Sequence, residues 1–170
     1  ETKKTKEKLS IQEADVIFVS DVFAEDYIGG AELTTETFFL KANLSHILKK
    51  DYVVCKVRSN DVTPEVVQSG IKKYWVFFNY AGLNQQLIPT IVANIDYSIV
   101  EYDYKFCKYR STEKHRAIED KPCDCKEQIS GKIVSAFMYA ADRIFWMSEK
   151  QRDFYIDLYP FLSERISVIL

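Results

Sequence analysis

Short runs of consecutive apolar residues recur along this chain, separated by segments with helical spacing, and this alternation limits the fold more than any other feature. The runs are DVIFVS at 15–20, YVVCKV at 52–57, KYWVFFN at 73–79, DYSIVEY at 96–102, DRIFWM at 142–147 and RISVIL at 165–170. A strand with one wet face alternates apolar and polar residues, whereas a strand covered on both faces reads as a continuous apolar run. Between the runs, Leu33, Thr37, Leu40, Leu44, Ile47 and Leu48 recur at helical intervals before Lys49 and Lys50, which suit a helix C-terminus. Thr63 and Pro64 have the chemistry of a helix start and Gly70 that of a helix end. Residues 83–94 predict a helix broken near Pro89, and Ile129, Ile133, Val134, Phe137 and Ala141 mark another over about 127–141. Ser148 stands as an N-cap before EKQRDFYIDLY, which Pro160 stops. Strands alternating with helices predict an α/β fold: a Rossmann-like parallel sheet of about six strands with helices on both faces.

Composition narrows the class. With 47% apolar and 28% charged residues, the 170-residue chain has the balance of a folded globular protein and room for one sizeable core. No apolar run is long enough to span a bilayer. The formal charge of -2, with both signs mixed, gives no reason to expect a nucleic-acid surface. TKKTKEK at 2–8 reads as part of a solvated arm over 1–14, leaving 15–170 as the domain. In the absence of a secretory segment the expected compartment is the cytoplasm, with the periphery of a membrane as the alternative. The start at Glu1 and the strand-like end RISVIL suggest a fragment that continues past Leu170.

In an open parallel sheet, ligands gather where the strands end at their carboxyl side. Gly29 and Gly30 follow the first strand and precede a helix, so their amides can face an anion or simply supply a turn. Neither GxGxxG nor GxxxxGK[ST] is present. Glu101 and Asp103 fall at the end of the fourth strand, either as a general base or hydroxyl acceptor or as solvated carboxylates. Cys55, inside an apolar run, reads as a buried inert thiol, and His46 as structural or surface.

Residues 103–126 form the longest stretch without periodicity and are expected to be irregular. They hold Cys107, His115, Cys123 and Cys125, with seven residues on each side of His115 before the next cysteine. Zinc frameworks usually begin from a CxxC pair, and here the close pair is Cys-Asp-Cys. No metal is therefore assigned; a zinc set from these four residues, a disulfide and plain thiols remain alternatives.

Taken in order, GGAE after the first strand, YDYKFC followed by a loop ending CDC, ADRIFWMSEKQRDFY, and P...ERISVIL resemble the N-terminal domain of a retaining, family 4 glycosyltransferase of the GT-B fold. The match runs from Asp15 over nearly the whole chain and rests on loose motifs in order. The resemblance implies two Rossmann-like domains across a cleft, this one on the acceptor side, with the donor-binding domain and its paired glutamates outside the chain. It implies transfer of a sugar from a nucleotide-sugar donor to a glycan, lipid or small-molecule acceptor, with no obligatory cofactor and no activity for this part alone. Gly29 and Gly30 would approach the donor diphosphate and Asp103 would be the catalytic-site Asp of the family's HD pair. Glu32, Glu101, Tyr102, Ser148 and Glu149 would line the cleft. Tyr102 stands where the family has histidine, which removes any role that needs an imidazole. The rivals are a non-catalytic α/β binding module with a Tyr- and Phe-rich surface, and another nucleotide-dependent enzyme such as an epimerase or a flavodoxin-like protein.

Overall fold

A computed structural model describes residues 10–23 and 52–170. The predicted strands appear as β1 (Val16–Ser20), β2 (Val54–Arg58), β3 (Tyr74–Phe77), β4 (Asp96–Glu101), β5 (Arg143–Trp146) and β6 (Ile166–Ile169). They form one six-stranded sheet in the order β2-β1-β3-β4-β5-β6. Every neighbouring pair is parallel, so this is a Rossmann-like α/β fold. From β1 the chain goes to one side for β2 and to the other for β3, which makes the carboxyl ends of β1 and β3 the topological switch point. β1, all apolar but for Ser20, is buried along its full length, whereas the edge strand β6 is at best half-buried.

The helices are α1 (Pro64–Ser69), α2 (Ile88–Asn94), α3 (Thr112–Glu119), α4 (Ile129–Ala140) and α5 (Glu149–Leu158). Caps fall where the sequence places them. Thr63 accepts the amide of Val66, Ser148 accepts that of Gln151, and Gly70 follows α1. Pro89 does not break a helix but sits in the first turn of α2, behind a 3-10 turn at Gln85–Leu87, where a missing N–H costs nothing. The stretch expected to be irregular contains α3, a correction to the sequence reading. TEKHRAIE carries almost no apolar periodicity, and His115 is its one buried residue.

α1, α2, α4 and α5 pack on one face of the sheet, contributing Val67, Ile91, Phe137 and Tyr155 to a core with Ile17, Trp75, Tyr97 and Trp146. The second face buries Val16, Phe18, Val76, Phe78, Val100 and Phe145. The helix expected over 33–48, with His46, lies outside the described residues. At the centre of the first core the rings of Phe77, Tyr97 and Phe137 lie 4.8–5.5 Å apart, and the Tyr97 hydroxyl donates to the Phe137 carbonyl at 2.5 Å, pinning α4 to β4. The aromatic residues imagined as a surface are thus mostly interior; of the exposed large hydrophobic residues described, Tyr139 alone is aromatic.

Candidate functional site at the carboxyl edge of the sheet

Parallel pairing brings the ends of β1, β3, β4 and β5 to one edge of the sheet. Asp21, the residue after β1, ties this edge together. Its carboxylate accepts the Ser59 hydroxyl from beyond β2 and the amides of Ala81 at 3.1 Å and Gly82 at 3.0 Å from beyond β3. A Cβ at Gly82 would lie 2.6 Å from Ser59 Oγ, the hydroxyl that donates to Asp21, so glycine leaves that hydroxyl in place.

At the end of β4, Glu101 is fully buried rather than solvated. Its carboxylate pairs with Lys105, itself 4% exposed, and accepts the Tyr155 hydroxyl at 2.9 Å. Burial raises the Glu101 carboxyl above its ordinary range, and the Lys105 charge and hydrogen bond pull it back. Lys105 also donates to the Val100 carbonyl at 3.3 Å and lies over the rings of Tyr80 and Tyr102 at 5.4 and 5.8 Å. A charge pair this dry is tenable because both members have several polar partners.

Asp103 is different, being about one-third exposed and placed between two cations. Lys105 Nζ is 3.7 Å from one of its oxygens, and Arg110 Nε is 2.8 Å from the other without hydrogen-bond alignment. Gln151 fixes the backbone here, donating to the Asp103 carbonyl at 3.1 Å while accepting the Met147 amide at 2.9 Å, so that α5 clamps the ends of β4 and β5 together. Arg110 also donates to Asn79 Oδ1 at 2.7 Å and comes within 4.0 Å of Asp21. It reaches these partners from a left-handed backbone conformation, φ 57°, which a residue with a side chain adopts at a cost.

A cavity of about 260 Å³ opens beside this cluster, with Tyr80, Lys105, Arg110, Gln85, Ile133 and Val134 in its lining. The Tyr80 hydroxyl is buried without a hydrogen-bond partner, as are Asp103 Oδ1 and Arg110 Nε. Buried polar atoms are usually satisfied, so three orphans at one edge mark a place that suits a polar ligand.

Of the expected site residues, Glu101, Tyr102 and Asp103 do gather at this edge. Tyr102 stacks on Phe78 at 6.5 Å. Ser148 and Glu149 are exposed at the end of β5, with Ser148 capping α5. Gly29, Gly30 and Glu32 lie outside the described residues. Sequence reasoning missed Asp21, Lys105, Arg110, Gln151 and Tyr155. The available signals were faint: Asp21 directly follows an apolar strand, Lys105 is four residues from Glu101, and Gln151 and Tyr155 share a helix face.

Behind the same loop, Cys107, His115, Cys123 and Cys125 bring one ligand atom each to within 4.8 Å of the others. His115 Nδ1 is 3.5 Å from Cys125 Sγ and 3.7 Å from Cys107 Sγ. Burial is the main reason the Cys123 thiol is raised to about 12, and the adjacent thiols add to it. No disulfide occurs among the described cysteines. No helix among the described residues is long and apolar enough to cross a membrane. Comparison of the chain with protein-family models and with curated proteins gave no match.

Proposed function

We propose that this chain is the acceptor-side domain of a retaining glycosyltransferase, built of two facing Rossmann-like domains and acting on a nucleotide-sugar donor. The observation that carries the reading is the set of unsatisfied polar atoms on Tyr80, Asp103 and Arg110 at the switch-point edge, beside a cavity. A sugar-like acceptor offers several hydroxyls, each able to donate and accept, which is what a mixed group of phenol, carboxylate and guanidinium can bind. The motif order GGAE, YDYKFC, WMSEKQR adds the family resemblance to this chemistry.

In this reading Asp103 accepts a hydrogen bond from the reacting acceptor hydroxyl, held in place by Arg110 and by Gln151 behind its carbonyl. Lys105 is occupied by the buried Glu101 and acts as a pillar under Asp103. Gly29 and Gly30 supply amides toward the donor diphosphate, where negative charge grows as the sugar leaves. The facing domain of the same polypeptide supplies most donor contacts.

The test uses the polypeptide that carries both domains, with nucleotide release measured across a panel of nucleoside-diphosphate sugars. Acceptor-dependent release is expected with at least one donor, and Asp103→Asn should lower it by about tenfold or more, a loss of at least ~1.4 kcal/mol of transition-state stabilisation. A full-length protein that neither binds nor turns over any donor in the panel would overturn the reading.

A further inference from the structure

We propose that Cys107, His115, Cys123 and Cys125 form a closed, structural zinc site that holds the loop carrying Lys105 and Arg110 against the sheet edge. The proposal does not depend on the transferase reading. The first argument is metric. Zinc takes thiolate sulfur at about 2.3 Å and imidazole nitrogen at about 2.0–2.1 Å in a tetrahedron, so a nitrogen and a sulfur on one ion lie about 3.6 Å apart and two sulfurs about 3.8 Å. The two nitrogen–sulfur separations here are 3.5 and 3.7 Å, and all four donor atoms fall within 4.8 Å of one another.

The second argument concerns His115, which is completely buried. Its Nδ1 faces two sulfurs at once, although one proton can serve only one of them, whereas a cation serves both. Its Nε2 has no hydrogen-bond partner, and the Asp124 carboxylate lies 3.6 Å away, beyond hydrogen-bond range but on the side where a histidine ligand's second nitrogen meets its carboxylate. Helix α3 is polar and buries nothing except this imidazole. A helix without an apolar stripe needs another attachment, and a coordinate bond supplies one.

The ligand set selects the ion and its role. Three sulfurs and one nitrogen in a tetrahedral set suit zinc, and four protein ligands leave no open position for substrate or water. Cys107, Cys125 and His115 are buried and Cys123 is half-buried, so only the Cys123 side of the site meets solvent. Binding displaces the three thiol protons, giving a centre of net charge 2 − 3 = −1, and the Lys108 amide already donates to Cys125 Sγ at 3.5 Å. Cys125 is pressed onto α4 so closely that a Cβ on Gly131 would lie 2.0 Å from its carbonyl oxygen. The site would therefore join the loop before α3, α3 itself and the start of α4, with Arg110 between two ligands.

The experiment is metal analysis of protein purified under reducing conditions without a polyhistidine tag. About one zinc per chain is expected. His115→Ala and Cys125→Ser should each fall to about a tenth of that occupancy or less, and Cys55→Ser should keep it. Should the variants fail to fold, chelator-stripped wild-type protein titrated with cobalt keeps the question open to refutation. The visible bands of tetrahedral, thiolate-ligated cobalt should saturate at one equivalent, and hydrogen exchange over 107–128 should slow on metal addition while the sheet is unchanged. Protein that is metal-free as purified and whose Cys107, Cys123 and Cys125 stay equally reactive toward a thiol reagent after added zinc would overturn the proposal. So would a disulfide between any two of them, stoichiometric copper or iron in place of zinc, or cobalt bound without those bands.

Discussion

Two neighbouring regions bury polar groups in opposite ways. At the end of β4, Glu101, Lys105 and Tyr155 satisfy one another: the carboxylate has an ammonium and a phenol, and the ammonium has a carboxylate, a backbone carbonyl and two aromatic faces. Two residues after Lys105, the thiols and imidazole of the Cys107 cluster are buried except for the half-buried Cys123, and they are poorly matched. His115 has one nitrogen without a hydrogen-bond partner, 3.6 Å from Asp124, and another facing two sulfurs. The first region is anchored in a strand and a helix of the core; the second is gathered mainly from loops around a polar helix. Buried polarity that carries its own counter-groups folds with the chain, while a cluster of metal-ligating groups whose hydrogen bonds are left incomplete is suited to an external ion.

The strongest way to break this contrast is Lys105→Met, which keeps the stem and removes the charge, leaving Glu101 unpaired in the core. A cost of about 3–5 kcal/mol at neutral pH is expected from urea unfolding. The pH dependence follows from the raised carboxyl. A carboxyl whose folded pKa lies above its unfolded one contributes most below the unfolded value and loses that contribution as pH rises through the folded one. The variant should therefore be nearest wild type in mild acid and furthest from it above the raised pKa. A penalty that does not vary with pH would mean that Lys105 acts by packing alone.

Gly131→Ala addresses the other region. The added Cβ meets the Cys125 carbonyl oxygen at 2.0 Å and carbon at 2.8 Å, both backbone atoms that cannot swing aside. A loss of about 1–3 kcal/mol is expected, with faster hydrogen exchange concentrated over 107–128 and the wild-type pH profile retained. Unchanged exchange there would show that the cluster does not rest on α4.

Arg110→Gly probes the junction and should change stability least. Releasing a left-handed non-glycine residue gains about 1–2 kcal/mol, and the partly exposed pairs with Asp103 and Asn79 give back a comparable amount. The net change in thermal unfolding should stay within about 1 kcal/mol, while on the proposed transferase reading acceptor-dependent turnover of the polypeptide carrying both domains falls. Normal turnover would leave Arg110 as a purely structural link.

Much of the scaffold is legible residue by residue. Continuous apolar runs such as 15–20 and 96–102 mark strands covered on both faces, and Thr63 and Ser148 begin helices because their side chains meet orphaned backbone groups, while Gly70 follows α1 where a Cβ would meet Trp75 and Ile17. Helix α3 was not legible, since its one inward residue is a histidine and periodicity detects apolar stripes. The site was legible only as an edge. Asp103 could be placed at a strand end, but its partner Arg110 comes from a loop, and Gln151 and Tyr155 arrive from a helix about fifty residues later in the chain.

By itself, the sequence determined the alternation of strand and helix, and with it the parallel sheet and its carboxyl edge, because these follow from local spacing and from which faces must be dry. Tertiary structure alone decided that Glu101 is interior and paired, and that Cys107, His115, Cys123 and Cys125 converge. The four donors meet because the chain turns back at both ends of α3 through left-handed residues, Arg110 at φ 57° and Asp120 at φ 52°. Aspartate tolerates that conformation and arginine gives no hint of it, so the convergence is set by backbone geometry that no spacing of cysteines encodes.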